Sequence, residues 1–170
     1  MRDQALAVTS YNLSVFLHVS AVMIGFGAVW AEAVMFPVAS RMSPRHLPYV
    51  HRLQLAINRF LAAPAILIVA GTGVYQVSEG NWRPGDLWVT GTIGILVAVA
   101  LIIIAFFIPM DRKLLPMVEK EIADLGNGKI QLNQLSGEYI RKGKLEGAIG
   151  TLMGILLLLA VFLMTTKPGL

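Results

Sequence analysis

His18, Gly25 and Glu32 recur at intervals of seven residues in an otherwise apolar stretch, Tyr11 to Pro37. Seven residues is close to two helical turns, so the three share one face of a helix. That face should turn toward other helices rather than lipid, because unpaired polar groups are costly in hydrocarbon. Two roles are open to a histidine so placed. It can hydrogen-bond a neighbouring helix, or a ring nitrogen can ligate haem iron, with Gly25 leaving room for the macrocycle. Met164, at comparable depth in the last apolar stretch, is a chemically acceptable second axial ligand. Tyr75 is a weaker candidate, and a symmetric dimer could bring two copies of His18 to one iron. His46 and His51 belong to the opposite end, roughly 20 Å or more away by helix rise.

Other polar and small residues carry their own expectations. Glu32 and Arg59 have opposite charge and matched depth, so a structural ion pair is expected, since a lone charge there costs a few kcal/mol. Gly143, Gly147, Gly150 and Gly154 are spaced four, three and four, which makes a stripe for close helix packing, within the chain or between copies. Pro64 interrupts the second apolar stretch and frees the carbonyl near Phe60.

The elements that must position these residues are four transmembrane helices. Hydrophobic residues make up 56% of the 170 residues and charged residues 14%, against ~25% charge in soluble domains. The near-uncharged runs leave no polar face for water. Spans are expected at about residues 11–37, 55–77, 87–110 and 145–166, each with the ~20 residues needed to cross the hydrocarbon. Residues 38–54 and 111–144 are then connecting loops, and the whole chain is one domain. The fold class is all-α, a polytopic four-helix bundle. The first span is expected to stay uncleaved, because its apolar run exceeds that of a signal peptide and Arg2 with Asp3 is nearly neutral.

Basic residues set the orientation. Arg41, Arg45, Arg52, Arg59, Arg112, Lys113, Lys120, Lys129, Arg141, Lys142 and Lys144 give eleven on one side, against Arg2, Arg83 and Lys167 on the other. The positive-inside rule puts both basic loops in the cytoplasm and both termini outside. The net charge of +4 therefore reflects membrane topology, and no nucleic-acid partner is expected. Asp86 is placed to cap the third helix after the turn Trp82 to Asp86. Tyr11, Tyr75, Trp82 and Trp88 form an aromatic belt at the outer interface. Leu114, Leu115, Val118, Ile122 and Leu125 recur at helical spacing, so the third helix should continue as an amphipathic cytoplasmic arm, stopped at Gly126-Asn127-Gly128.

Several chemistries are excluded. The chain has no cysteine, which removes disulfides, thiolate metal sites, iron–sulfur clusters and covalent haem. No GxGxxG, GxxxxGK or HExxH pattern occurs.

Three short segments carry a resemblance. They are Leu17-His18 with Ala21 to Trp30, Gly71-Thr72-Gly73-Val74-Tyr75, and Gly80-Asn81-Trp82 to Asp86-Leu87-Trp88. Together they resemble an uncharacterised bacterial four-helix membrane family, similar in turn to CopD-type copper-resistance domains and HemJ-type protoporphyrinogen oxidases. The resemblance implies a multi-pass protein of the bacterial inner membrane with a b-type haem or redox role, and His18 in place of the first-helix histidine. No lysine at membrane depth matches the second essential position of the HemJ type. A copper path lacks its Met-x-Met or clustered exterior histidines. Two classes remain: a haem-b protein passing electrons or oxidising a porphyrin or quinone-like substrate, and a non-catalytic subunit or scaffold without cofactor. Either would sit in the lipid bilayer, as a homo-oligomer or within a larger membrane complex.

Overall fold

The computed structural model describes residues 9–126 and 135–168, and among these there is helix but no strand. Helix α1 is Ser10–Met42, followed by a 3-10 turn at Pro44–His46. Next come α2 (Leu47–Ile57), a π turn (Asn58–Ala62) and α3 (Ala63–Glu79), in one unbroken helical run. After a short turn, α4 (Leu87–Ile102), a second π turn (Ile103–Phe107) and α5 (Ile108–Gly126) make another such run. Helix α6 (Gly137–Thr166) completes the bundle. Four helical runs are long and apolar enough to cross a membrane.

Both π turns have the same cause. Pro64 and Pro109 lack the N–H that an α-helical carbonyl four residues earlier would use, and each follows a widened turn. The N–H of Ala63 bonds the Asn58 carbonyl and that of Ile108 bonds the Ile103 carbonyl, five residues back in each case. The interruption expected at Pro64 is thus absorbed without breaking the helix.

The chain is apolar outside and polar within. Phe16, Met23, Leu67, Val74, Ile104 and Leu158 are exposed, whereas Ser14, His18, Glu32, His51, Gln54, Asn58, Asp111 and Glu146 are buried. Water would favour the reverse, and lipid favours this arrangement. Helix α1 packs chiefly on α3, α4 on α6, and α2 on α5.

Helices extend further than hydropathy suggested. Much of the segments 38–54 and 111–144, expected as loops, is helical. The reason lies in their amphipathic pattern, since Ala39, Leu47, Val50, Leu114, Val118 and Tyr139 close into an apolar cluster of their own. Leu114 and Val118 are fully buried in it, which gives the arm its packing surface. Exposed Arg52 pairs with Glu119 at 2.6 Å across α2 and α5, and Glu121 accepts from the Ser136 N–H at 3.0 Å at the start of α6. The stop at Asn127-Gly128 lies outside the described residues.

The opposite end is held by rings. Trp82 and Trp88 stack edge to face with centroids 5.4 Å apart, and the Lys167 ammonium sits 4.2 Å from the Trp82 ring centre. Asp86 stands at the N-cap position of α4, but its carboxylate accepts from the Arg83 N–H at 3.2 Å and makes no cap bond. It closes the turn rather than the helix. Asn81 takes the positive φ of 52° that this turn requires, a conformation asparagine tolerates well.

Candidate functional site

Each helical run contributes polar side chains to one buried layer. Glu32 comes from α1, His51 and Gln54 from α2, Asn58 from the first π turn, Asp111 from α5, and Glu146 from α6. Spacing explains the convergence. His51, Gln54 and Asn58 lie three and seven residues apart, and Tyr139, Glu146 and Met153 are spaced by seven, so each set lies on one inward face. On the mid-bundle side the layer is closed by Val29, Ala62, Ile95, Val99, Ile103, Phe107 and Met153. On the arm side it is closed by the cluster around Leu47, Leu114 and Tyr139.

His51 is the hub. Its Nδ1 lies 3.3 Å from Asp111 Oδ1 and its Nε2 lies 2.9 Å from the Tyr139 hydroxyl. When Asp111 is ionised it only accepts, so Nδ1 then carries the proton and Nε2 accepts from the Tyr139 O–H. Ligand atoms of His51, Asp111 and Glu146 all lie within 4.8 Å of one another. Glu32 is close enough to Asp111 and Glu146 for their charges to interact.

The layer is short of partners. Glu32 Oε1, Gln54 Oε1, Asn58 Nδ2, Asp111 Oδ2 and Glu146 Oε1 are buried without a hydrogen bond. No Lys or Arg among the described residues is buried. Three carboxyl groups thus share a buried space with no buried Lys or Arg beside them among the described residues, an arrangement that demands bound protons or a bound cation.

The residues singled out from sequence fall elsewhere. His18 is buried at the other end of the α1–α3 seam, its Nδ1 2.8 Å from Thr72 Oγ1. The Thr72 hydroxyl donates to the Ile68 carbonyl, so it accepts from the His18 Nδ1–H, which leaves Nε2 as the ring's one acceptor. Gln76 donates to the Ser14 carbonyl at 3.2 Å one turn further out. Gly25 is not beside a cavity: a Cβ added there would lie 3.3 Å from Ala65 Cβ. The room expected for a macrocycle is filled by α3. Met164 is half-buried near the end of α6, and its neighbour Leu163 packs on Gly91 of α4. None of the bonds described for the His18 ring involves Met164.

One structural expectation needs correction: Glu32 and Arg59 do not pair. Arg59 follows inward-facing Asn58 by one residue, which turns it about 100° away, and it is exposed with its guanidinium 5.5 Å from the Phe60 ring centre. Of the two packings open to the glycine stripe, within the chain or between copies, Gly147, Gly150 and Gly154 show no tight crossing within the chain. Gly143 is buried, but a Cβ on Gly147 or Gly154 would meet nothing within 4 Å, and one on Gly150 would only touch Phe107 at 3.8 Å. The close approaches between helices are at Gly91, whose added Cβ would lie 3.0 Å from Leu163, at Gly25, and at Gly73, whose added Cβ would lie 3.5 Å from the His18 ring.

Asp111, Glu146, Tyr139, Gln54 and Asn58 escaped the sequence reading, and His51 and His46 were read as belonging to a loop. His46 is exposed, while His51 is fully buried. A usable signal was present, namely one ionisable residue per helix at the same end. Compared with known proteins, the chain matches no family model, no curated relative and no solved structure.

Proposed function

We propose that this chain is a multi-pass membrane protein whose working part is the buried layer around His51, and that it binds a cation there. The carrying observation is three buried carboxyl groups with unpartnered oxygens and no buried Lys or Arg among the described residues. Burying that much negative charge uncompensated would cost several kcal/mol per ion, more than a domain's whole margin of stability. Infrared difference spectroscopy of the purified protein tests this. Carboxyl groups of the layer should be protonated or ion-bound, with bands that disappear in Glu32→Gln/Asp111→Asn/Glu146→Gln. Fully ionised carboxylates with no bound cation would refute the reading.

The positive-inside count of eleven against three supports N-out, C-out topology in a bacterial inner membrane, with the layer in its cytoplasmic half. A reporter that works only outside the cytoplasm should be active after Leu170. Activity there of a reporter confined to the cytoplasm would reverse the topology.

A b-type haem on His18 is the second reading, favoured by one observation: Nδ1 is committed to Thr72, the way a second-shell partner fixes a metal-ligating histidine through its other nitrogen. With Ala65 on Gly25 and Gly73 on the ring, such a haem would have to be shared with a second copy. Protein from haem-replete cells should then show a Soret band that His18→Ala abolishes. A colourless protein whose infrared spectrum also lacks the expected carboxyl bands would be read as a cofactor-free subunit or scaffold.

A further inference from the structure

We infer that the cation held in the layer is a divalent first-row transition metal, bound by His51, Asp111 and Glu146 with Glu32 as a fourth donor. This rests on the cation reading above and adds the ion's class and its ligands.

Geometry comes first. The three ligand atoms lie within 4.8 Å of one another. Nitrogen and oxygen ligands stand about 2.0–2.2 Å from such an ion, so three of them around it are mutually at most ~3.8 Å apart. Closing the difference takes at most about 1 Å, within reach of side-chain rotation. A second observation points the same way. Glu32, 9% exposed, has an unpartnered Oε1 and interacts electrostatically with both Asp111 and Glu146. Asp111 Oδ2 and Glu146 Oε1 are likewise unpartnered, which leaves a free donor atom on each acid.

The donor set narrows the ion. One imidazole with carboxylate oxygens, and no sulfur, suits Mn²⁺, Fe²⁺, Co²⁺ or Zn²⁺. Soft Cu(I) has no thiolate here, and Ca²⁺ wants six to eight oxygens. Two charges on the ion offset two carboxylates, so a site with three still keeps a proton or one net negative charge.

Tyr139 has a defined positioning role. With metal bound, the His51 proton moves to Nε2 and is donated to the Tyr139 oxygen, freeing Nδ1 on the Asp111 side for the ion. The tautomer change releases no proton, so protons released on metal uptake come from carboxyl groups that held them before the ion bound. A purely structural polar cluster would release none.

The test uses full-length, metal-stripped protein in mild detergent without a polyhistidine tag, titrated with Co²⁺. Visible d–d absorption and stoichiometric proton release are expected, with Zn²⁺ displacing Co²⁺ and Ca²⁺ failing to do so. Glu146→Gln should weaken binding at least tenfold, and Tyr139→Phe, which keeps every ligand, by roughly 10- to 100-fold. Both changes are near-isosteric, and parental circular dichroism and elution volume would show that they fold. No Co²⁺ binding, or binding indifferent to both changes, overturns the metal assignment. If metal fails while the infrared bands remain and respond to Glu146→Gln, the layer holds protons and only this inference falls. If both fail, the cation reading falls with it.

Discussion

His51→Ala should destabilise the purified protein by about 3–5 kcal/mol, the scale for breaking a buried, hydrogen-bonded pair by removing one member. The ring is fully buried and bonds Asp111 on one side and Tyr139 on the other. Its loss takes a donor from a buried carboxyl that already has one unpartnered oxygen, and leaves a hole between α2, α5 and α6. Tyr139→Phe removes only the hydroxyl and should cost about 1–3 kcal/mol. Thermal or denaturant unfolding in one detergent compares the two. If His51→Ala cost less than 1 kcal/mol, water would have to enter the layer freely, and the sealing by the two apolar clusters would be mistaken.

That prediction turns on a residue the sequence reading placed in a loop, and the reason is physical. Hydropathy marks where a chain leaves lipid, and it ended the first and third spans as soon as Arg41 and Arg112 appeared. Helical structure does not end there, because Leu47, Val50, Leu114, Val118 and Tyr139 supply a second apolar core beyond those charges. Four apolar helices and the arm of the third could be read from period and composition alone. The layer could not, because it depends on which faces of four helices meet, and two π turns shift those faces midway. Glu32 shows the limit well. Its depth was legible, and a partner was sought at equal depth in Arg59, but a one-residue offset around the helix turns Arg59 outward. The same holds for His18, whose inward aim was correctly inferred from the seven-residue spacing. Its partner, Thr72, is one hydroxyl among many, and nothing in the sequence distinguishes it.

Gly25→Leu should be the most damaging change at the other end of the seam. A single Cβ there already falls 3.3 Å from Ala65 Cβ, so three further carbons must drive α1 and α3 apart. Overpacking alone costs about 1–3 kcal/mol. Separation would also stretch the bonds from His18 to Thr72 and from Gln76 to Ser14, which lie along the same seam. In the membrane setting proposed above these groups would have no water to turn to. Gly147→Leu and Gly154→Leu make the contrast, since a Cβ at either position meets no described residue within 4 Å. They should change unfolding by no more than about 0.5 kcal/mol. A large loss from Gly147→Leu, with a shift in elution volume to a smaller species, would show that the stripe packs against a second copy. The small-residue rule for membrane helices would then operate between chains at α6, while Gly25 applies it within one.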